Sequence, residues 1–148
     1  MGVISVNNII DGICTAINSE FGDEYEIYTE LVEQGLKQPC FTVSCVRADI
    51  TPKLPPRYYK TNLFCIYYFP EENIHKRLPS HEVKERLYNA LEYITVDGDL
   101  VRGTKMEGNM VGNDVLAFMV NYDMYVFKVD TEESIDMMGE INTSTKVN

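Results

Sequence analysis

The stretch Val115-Leu-Ala-Phe-Met-Val-Asn-Tyr-Asp-Met-Tyr-Val-Phe-Lys-Val129 decides the fold. It is apolar almost throughout and rich in β-branched and aromatic residues, which suits a pleated strand better than a helix. At ~3.3 Å per residue, one strand of this length spans roughly 50 Å. A domain of this chain length has a radius of gyration of ~15 Å and is only about 35 Å across. The strand must therefore bend, bulge or overhang the body. Overhanging β-structure serves chiefly a protein that pairs with copies of itself or with a neighbour.

Working outward, Thr104 to Val111 can pair with this stretch through Gly112-Asn113, and Asp97-Gly98 within Thr95 to Gly103 is a hairpin-type turn. Upstream, Ser80 is placed to cap a helix whose apolar positions are Val83, Leu87, Ala90, Leu91 and Ile94, with Glu82 and Arg86 as an i,i+4 pair on its wet side. Glu71 to Pro79 is a charged loop. Asn62 to Phe69 is apolar on both faces, as a central strand is. Arg47 to Lys60 holds Pro52, Pro55 and Pro56, and proline removes ladder donors, so a long irregular and exposed segment is expected there. Cys40 to Val46 is a strand with Phe41, Val43 and Cys45 on one face, preceded by a turn over Gln34 to Pro39.

Tyr25 to Val32 alternates as a half-exposed edge strand does. At the start, Ser5 caps a helix to about Glu20, with Val6, Ile9, Ile10, Ile13 and Ile17 along one stripe. Gly12 inside that helix costs about 1 kcal/mol against alanine and predicts close backbone packing. Gly22 takes the position past the helix end. The expected class is α+β: a single antiparallel or mixed sheet of about five strands with two helices on one face, in the order α-β-β-β-α-β-β. One domain over residues 1–129 and an acidic C-terminal tail over 130–148 are the expected organisation.

The net charge of −10 is uneven. Residues 1–36 hold seven acids and no base, residues 37–105 eleven bases and eight acids, and residues 106–148 two bases and eight acids. Such a balance argues against gripping nucleic acid, whose phosphates need lysine and arginine. It suits either solvated faces or acidic-to-basic contact between copies. No run of about 18 apolar residues is present, so no membrane helix is expected, and no signal peptide is visible. Cys14, Cys40, Cys45 and Cys65 lie in apolar contexts without metal spacing and read as reduced core thiols.

Catalytic chemistry finds no foothold. His75 and His81 lie in or beside a charged loop, away from the apolar cysteine segments, so no thiol has a base beside it. Asp97, Asp99 and Asp123 are the nearest thing to a metal set, but Asp97-Gly98-Asp99 is a turn signal first. Gly103 and Gly108 match no phosphate loop. No catalytic residue, metal or cofactor is assigned. Tyr58-Tyr59 between Arg57 and Lys60 resembles an aromatic-basic nucleic-acid patch, yet its tyrosines and arginine fit the core of a subunit contact better. The Tyr67-Tyr68-Phe69 and Tyr122-Tyr125-Phe127 clusters are expected to be core and cross-strand pairs.

Seven strings together carry a family resemblance: Phe21-Gly-Asp-Glu-Tyr-Glu-Ile-Tyr-Thr-Glu30, Gln34-Gly-Leu36, Pro39-Cys-Phe41, Tyr68-Phe-Pro70, Leu91-Glu-Tyr-Ile94, Gly103-Thr-Lys-Met106 and Val120-Asn-Tyr122. In this order, over about Ser5 to Val129, the chain resembles the tail terminators of phages, prophages and phage-tail-like bacteriocins of Gram-positive bacteria. The resemblance implies a structural protein without catalysis. It implies a homohexameric ring that caps the tail tube, ends tail growth and offers a docking surface to the neck and head-completion proteins. In a contractile tail the ring also meets the last sheath ring. The implied place is the head-proximal end of a tail, assembled in the bacterial cytoplasm, with DNA passing through the bore without specific binding and no membrane involved.

A ring needs two different patches on each copy. The candidates for the subunit or tube contact are Arg47, Lys53, Arg57, Tyr58, Tyr59 and Lys60. Those for the acidic complement or lumen are Asp23, Glu24, Glu26, Glu30, Glu107 and Asp114. Read without the resemblance, the charge fits equally a small acidic module, of inhibitor or immunity type, that masks a basic partner. An enzyme with active sites shared between copies is the third reading, and no acid/base pair supports it.

Overall fold

The computed structural model describes residues 4–29 and 35–128. Helix α1 spans Val6–Phe21, and the Ser5 hydroxyl accepts from the Asn8 amide at 3.1 Å, the expected cap. Its Ile9, Ile13 and Ile17 are buried, as the stripe predicts. Gly22 ends it at φ 92°. Strand β1 (Glu26–Tyr28) is shorter than the alternation from Tyr25 to Val32 suggests, and it pairs parallel with β2 at the sheet edge. Residues 30–34, which hold the rest of that expected strand, lie outside the described residues.

Strands β2 (Cys40–Pro52) and β3 (Arg57–Phe69) form one long antiparallel hairpin. This corrects the expectation of an irregular Arg47–Lys60 loop: both flanks of that segment are paired strand. The prolines allow it because Pro52 stands at the strand's end, where no ladder donor is needed, and Pro55 and Pro56 lie in the turn. After a 3-10 turn at Ile74–Lys76, helix α2 (Ser80–Leu91) follows. Pro79, not Ser80, holds its N-cap position, and no side chain caps it. Arg86 reaches Glu82 at 4.0 Å as expected, but binds Glu20 of α1 more closely, at 2.9 Å.

The Asp97-Gly98 turn joins β4 (Tyr93–Val96) to β5 (Asp99–Arg102), with both turn residues at positive φ. Strands β6 (Thr104–Val111) and β7 (Val115–Asn121) pair through the turn at Gly112 as read from sequence. The apolar stretch from Val115 breaks at Tyr122-Asp123 and resumes as β8 (Met124–Phe127). The main sheet has six strands in the order β1-β2-β3-β7-β6 with β8 on β3, and β4-β5 is a separate ribbon. The eight strands exceed the five expected, because the long stretch splits and the 93–102 segment pairs with itself.

Both helices cover one face of the sheet. Val83, Leu87 and Leu91 of α2 join the α1 isoleucines against Phe41, Val43, Phe64, Ile66, Tyr68, Leu116, Phe118 and Val120. Gly12 fulfils its expected close approach: a Cβ there would stand 2.8 Å from the Thr95 carbonyl oxygen. The four cysteines are free thiols, and the tail over residues 130–148 lies outside the described residues.

Burial marks this core chemically. It pushes the Tyr68 phenol up to about 12, the Tyr122 phenol higher still, and the Cys14 and Cys40 thiols up to about 11. In the unfolded chain phenols ionise near 10 and thiols near 9, so deprotonation favours unfolding. This contribution is complete below about pH 9 and is lost as pH rises to about 12. The melting temperature should fall across that window. In an absorbance titration, the Tyr68 and Tyr122 phenols should ionise only as the chain unfolds.

Candidate assembly surfaces

Beyond the bulge between Cys45 and Arg47, the hairpin leaves the body as an arm. Its root is where β3 exchanges one neighbour for another: Leu63 to Tyr68 pair with β7, and Arg57 to Lys60 with β8. A cluster of polar groups pins this point. The Asn62 side chain donates to the Tyr122 carbonyl at 2.8 Å, the Tyr122 amide donates to the Asn62 carbonyl at 2.9 Å, and the Asn62 amide donates to the Asp123 carboxylate at 2.9 Å. The tip is closed by the Lys53 amide on the Arg57 carbonyl at 2.9 Å and the Lys128 amide on the Pro56 carbonyl at 3.0 Å. So the arm is three-stranded and held at both ends.

Side chains alternate across it. Arg47, Arg57, Tyr59 and Tyr125 share the side facing away from the helices, where Tyr59 packs on Tyr125 at 4.8 Å and the Arg57 guanidinium lies 5.0 Å over the Tyr125 ring. Tyr58 and Lys60 occupy the helix side, with the Lys128 ammonium 5.2 Å over the Tyr58 ring. The Lys60 ammonium donates to the Ile4 carbonyl at 2.8 Å, and burial with nearby Lys128 lowers its pKa. Lys53 is exposed at the tip. The arm thus collects all six contact candidates, but Lys60 already has an internal role in tethering the N-terminal end of α1.

Sequence reasoning missed the arm's apolar members. Leu54 is 80% exposed, Phe127 63%, Tyr125 55% and Val46 54%. The available signal was the alternation of Tyr125 and Phe127 with buried Val126, which places both aromatics on one open side. Toward the body the same open side continues through Leu63, Cys65, Tyr67 and Phe69 of β3 and Ala117 and Met119 of β7. It carries no charge on these strands, and none of the described elements covers it.

The acidic candidates are not gathered on one face. Asp23, Glu24 and Glu26 sit at the β1 edge, Glu107 on β6 at the opposite edge, and Asp114 in the β6–β7 turn, 3.5 Å from Arg77. Four strand spacings of ~4.8 Å separate the two edges, roughly 19 Å. Glu30 lies outside the described residues.

Charge is partitioned instead between arm and body. Residues 46–62 with 123–128 hold five bases and two acids, while the other described residues hold seven bases and fourteen acids. Among the described residues no arm cation takes part in an ion pair; the four that form involve Arg77, Arg86 and Arg102. The arm is thus net +3 and the rest of the described chain net −7. Among the described residues no three metal-ligating side chains converge, and no helix is long and apolar enough to cross a membrane.

A family model described as phage tail terminator protein matches residues 8–134. The chain belongs to this family of phage tail terminators. The match covers α1 from its third residue, all of α2, every described strand and the arm. No curated protein matches the chain. Among solved structures 22 chains match, one of them at 11% identity and a TM-score of 0.40 over 81% of this chain and 96% of its own. The terminator is thus a structural component of a phage tail, and it works by contact with other tail components.

Proposed function

We propose that this terminator closes into a homohexameric ring on the last ring of the tail tube, stops its growth and presents its outer surface to the neck and head-completion proteins. The observation that carries the reading is the split of charge within one chain. Attraction between arm and body, with repulsion between arm and arm, favours a head-to-tail contact, and a head-to-tail contact that closes makes a ring. The bare open side of the arm supplies apolar area for it, rich in tyrosine and arginine as interface centres are.

Within the ring, DNA passes through without specific binding. The body part of the open face, Thr42 and Ser44 of β2, Leu63, Cys65, Tyr67 and Phe69 of β3 and Ala117 and Met119 of β7, supports this: it offers phosphates no cation, and Arg47 and Arg57 lie beyond it on the arm. In a contractile tail the same ring also contacts the last sheath ring. The protein acts without catalysis, at the head-proximal end of the tail, after assembly in the bacterial cytoplasm. The domain ends near residue 129, and residues 130–148 are an acidic tail beyond it.

Deletion tests the reading. Particles made without the protein should carry tails of uncontrolled length and few joined heads under the electron microscope. Tails of normal length attached to heads would overturn it.

A further inference from the structure

We propose that the arm tip of one copy seats in the groove between α1 and β4 of the next, with Leu54 over the Gly12–Thr15 floor and Lys53 and Arg57 facing Asp11 and Asp97. This rests on the ring reading and adds the receiving surface. The groove consists of two adjoining depressions of about 340 and 240 Å³ that share Gly12, Thr15 and Thr95. Its floor is closed, because Gly12 brings α1 directly against the Thr95 carbonyl, where even a methyl group does not fit. Ala16 continues the small-residue lining, and Asp11 and Asp97 stand at one end.

Neither aspartate takes part in an ion pair among the described residues. Asp97 accepts from the Asn8 side chain at 2.8 Å, which leaves its charge uncancelled. The cations beside the groove are already paired: Arg86 with Glu20 of its lining at 2.9 Å and Arg102 with Glu92 at 3.7 Å. The tip complements this surface. Leu54, 80% exposed, projects between Lys53 and Arg57 from a turn locked by the Arg57 amide on the Leu54 carbonyl at 3.0 Å. A rigid apolar knob flanked by unpaired cations loses little conformational freedom on docking.

The occupant is a second copy. The Lys60–Ile4 bond sets the N-terminal end of α1, and with it the acidic end of the groove, beside the root of its own arm. The tip lies further out by three strand residues and the turn, about 10 Å or more at ~3.4 Å per residue, while α1 runs the other way to pack Phe21 on Phe41 at 4.8 Å, so a chain cannot fill its own groove.

Cross-linking decides the matter. Leu54→Cys and Thr15→Cys are combined in a Cys14→Ser, Cys45→Ser background, oxidised mildly, and read on non-reducing gels and by native mass spectrometry, free and on purified tails. The double variant should give a covalent ladder that ends at the ring, and each single variant should stay monomeric on the gel. Dimers from Leu54→Cys alone would place arm against arm and overturn the proposal. A ring by native mass without a ladder would overturn the groove and leave the ring standing. A chain monomeric both free and on tails would overturn both. As an independent readout, Arg57→Glu should weaken association about tenfold or more and Asp11→Arg should restore it within the double variant. Failure of that rescue also counts against the pairing.

Discussion

Tails assembled with the Lys53→Glu, Arg57→Glu double variant are expected to run past their normal length, while the isolated chain keeps its melting temperature within about 4 °C. The fold should be nearly indifferent because both residues are exposed and neither forms an ion pair among the described residues. The one internal interaction lost is that of Arg57 with the Tyr125 ring at 5.0 Å, of order 0.5–1 kcal/mol at an exposed site. Between copies the effect is far larger, since like charges placed across an interface cost several kcal/mol. In a closed ring every copy joins two such contacts, one through its arm and one through its groove, so seating a copy in the ring involves both. Lys60 is left unchanged because its ammonium holds the Ile4 carbonyl, and reversing it would confound assembly with stability. Normal tail lengths with this variant would mean that the arm tip is not a subunit contact.

Replacing Tyr122 by alanine should cost roughly 3–5 kcal/mol and lower the melting temperature by about 10 °C or more. Tyr122 is fully buried, its ring packs 6.1 Å from that of Phe64, and its hydroxyl donates to the Leu91 carbonyl at 2.6 Å. The substitution opens a cavity between α2 and the sheet and leaves that carbonyl without its donor. The damage should reach the arm as well, since the ring anchors the Tyr122 backbone, which lies between β7 and β8 and bonds Asn62 at the arm root. Tyr122→Phe keeps the ring and loses one hydrogen bond, so its cost should be only about 1–3 kcal/mol. Urea denaturation measures both. A loss below about 1 kcal/mol for the alanine variant would show that the root does not depend on this side chain.

How far the sequence could be read depended on whether a segment has a dry side. The α1 stripe, the β6–β7 hairpin and the Asp97-Gly98 turn were legible because burial or positive φ dictates residue type there. The arm was not, because most of Arg47 to Pro52 and Arg57 to Lys60 faces solvent on both sides and carries no apolar alternation. Its three prolines then pointed to irregular chain, although they stand at a strand end and in a turn. The break at Tyr122-Asp123 was masked by Tyr122, whose apolar ring continues the run while its backbone leaves β7; Asp123, the single charge before Lys128, was the sign. The contact candidates came from charge, and pairing alone revealed that Lys60 faces inward and that Leu54, Tyr125 and Phe127 face out.

The most direct measurement is electron microscopy of the head-proximal end of purified tails, with the protein tagged and its copies counted. Six copies are expected in one closed ring on the last tube ring, each arm lying on its neighbour. Copies spread along the tube, or a complement other than six without closure, would contradict this.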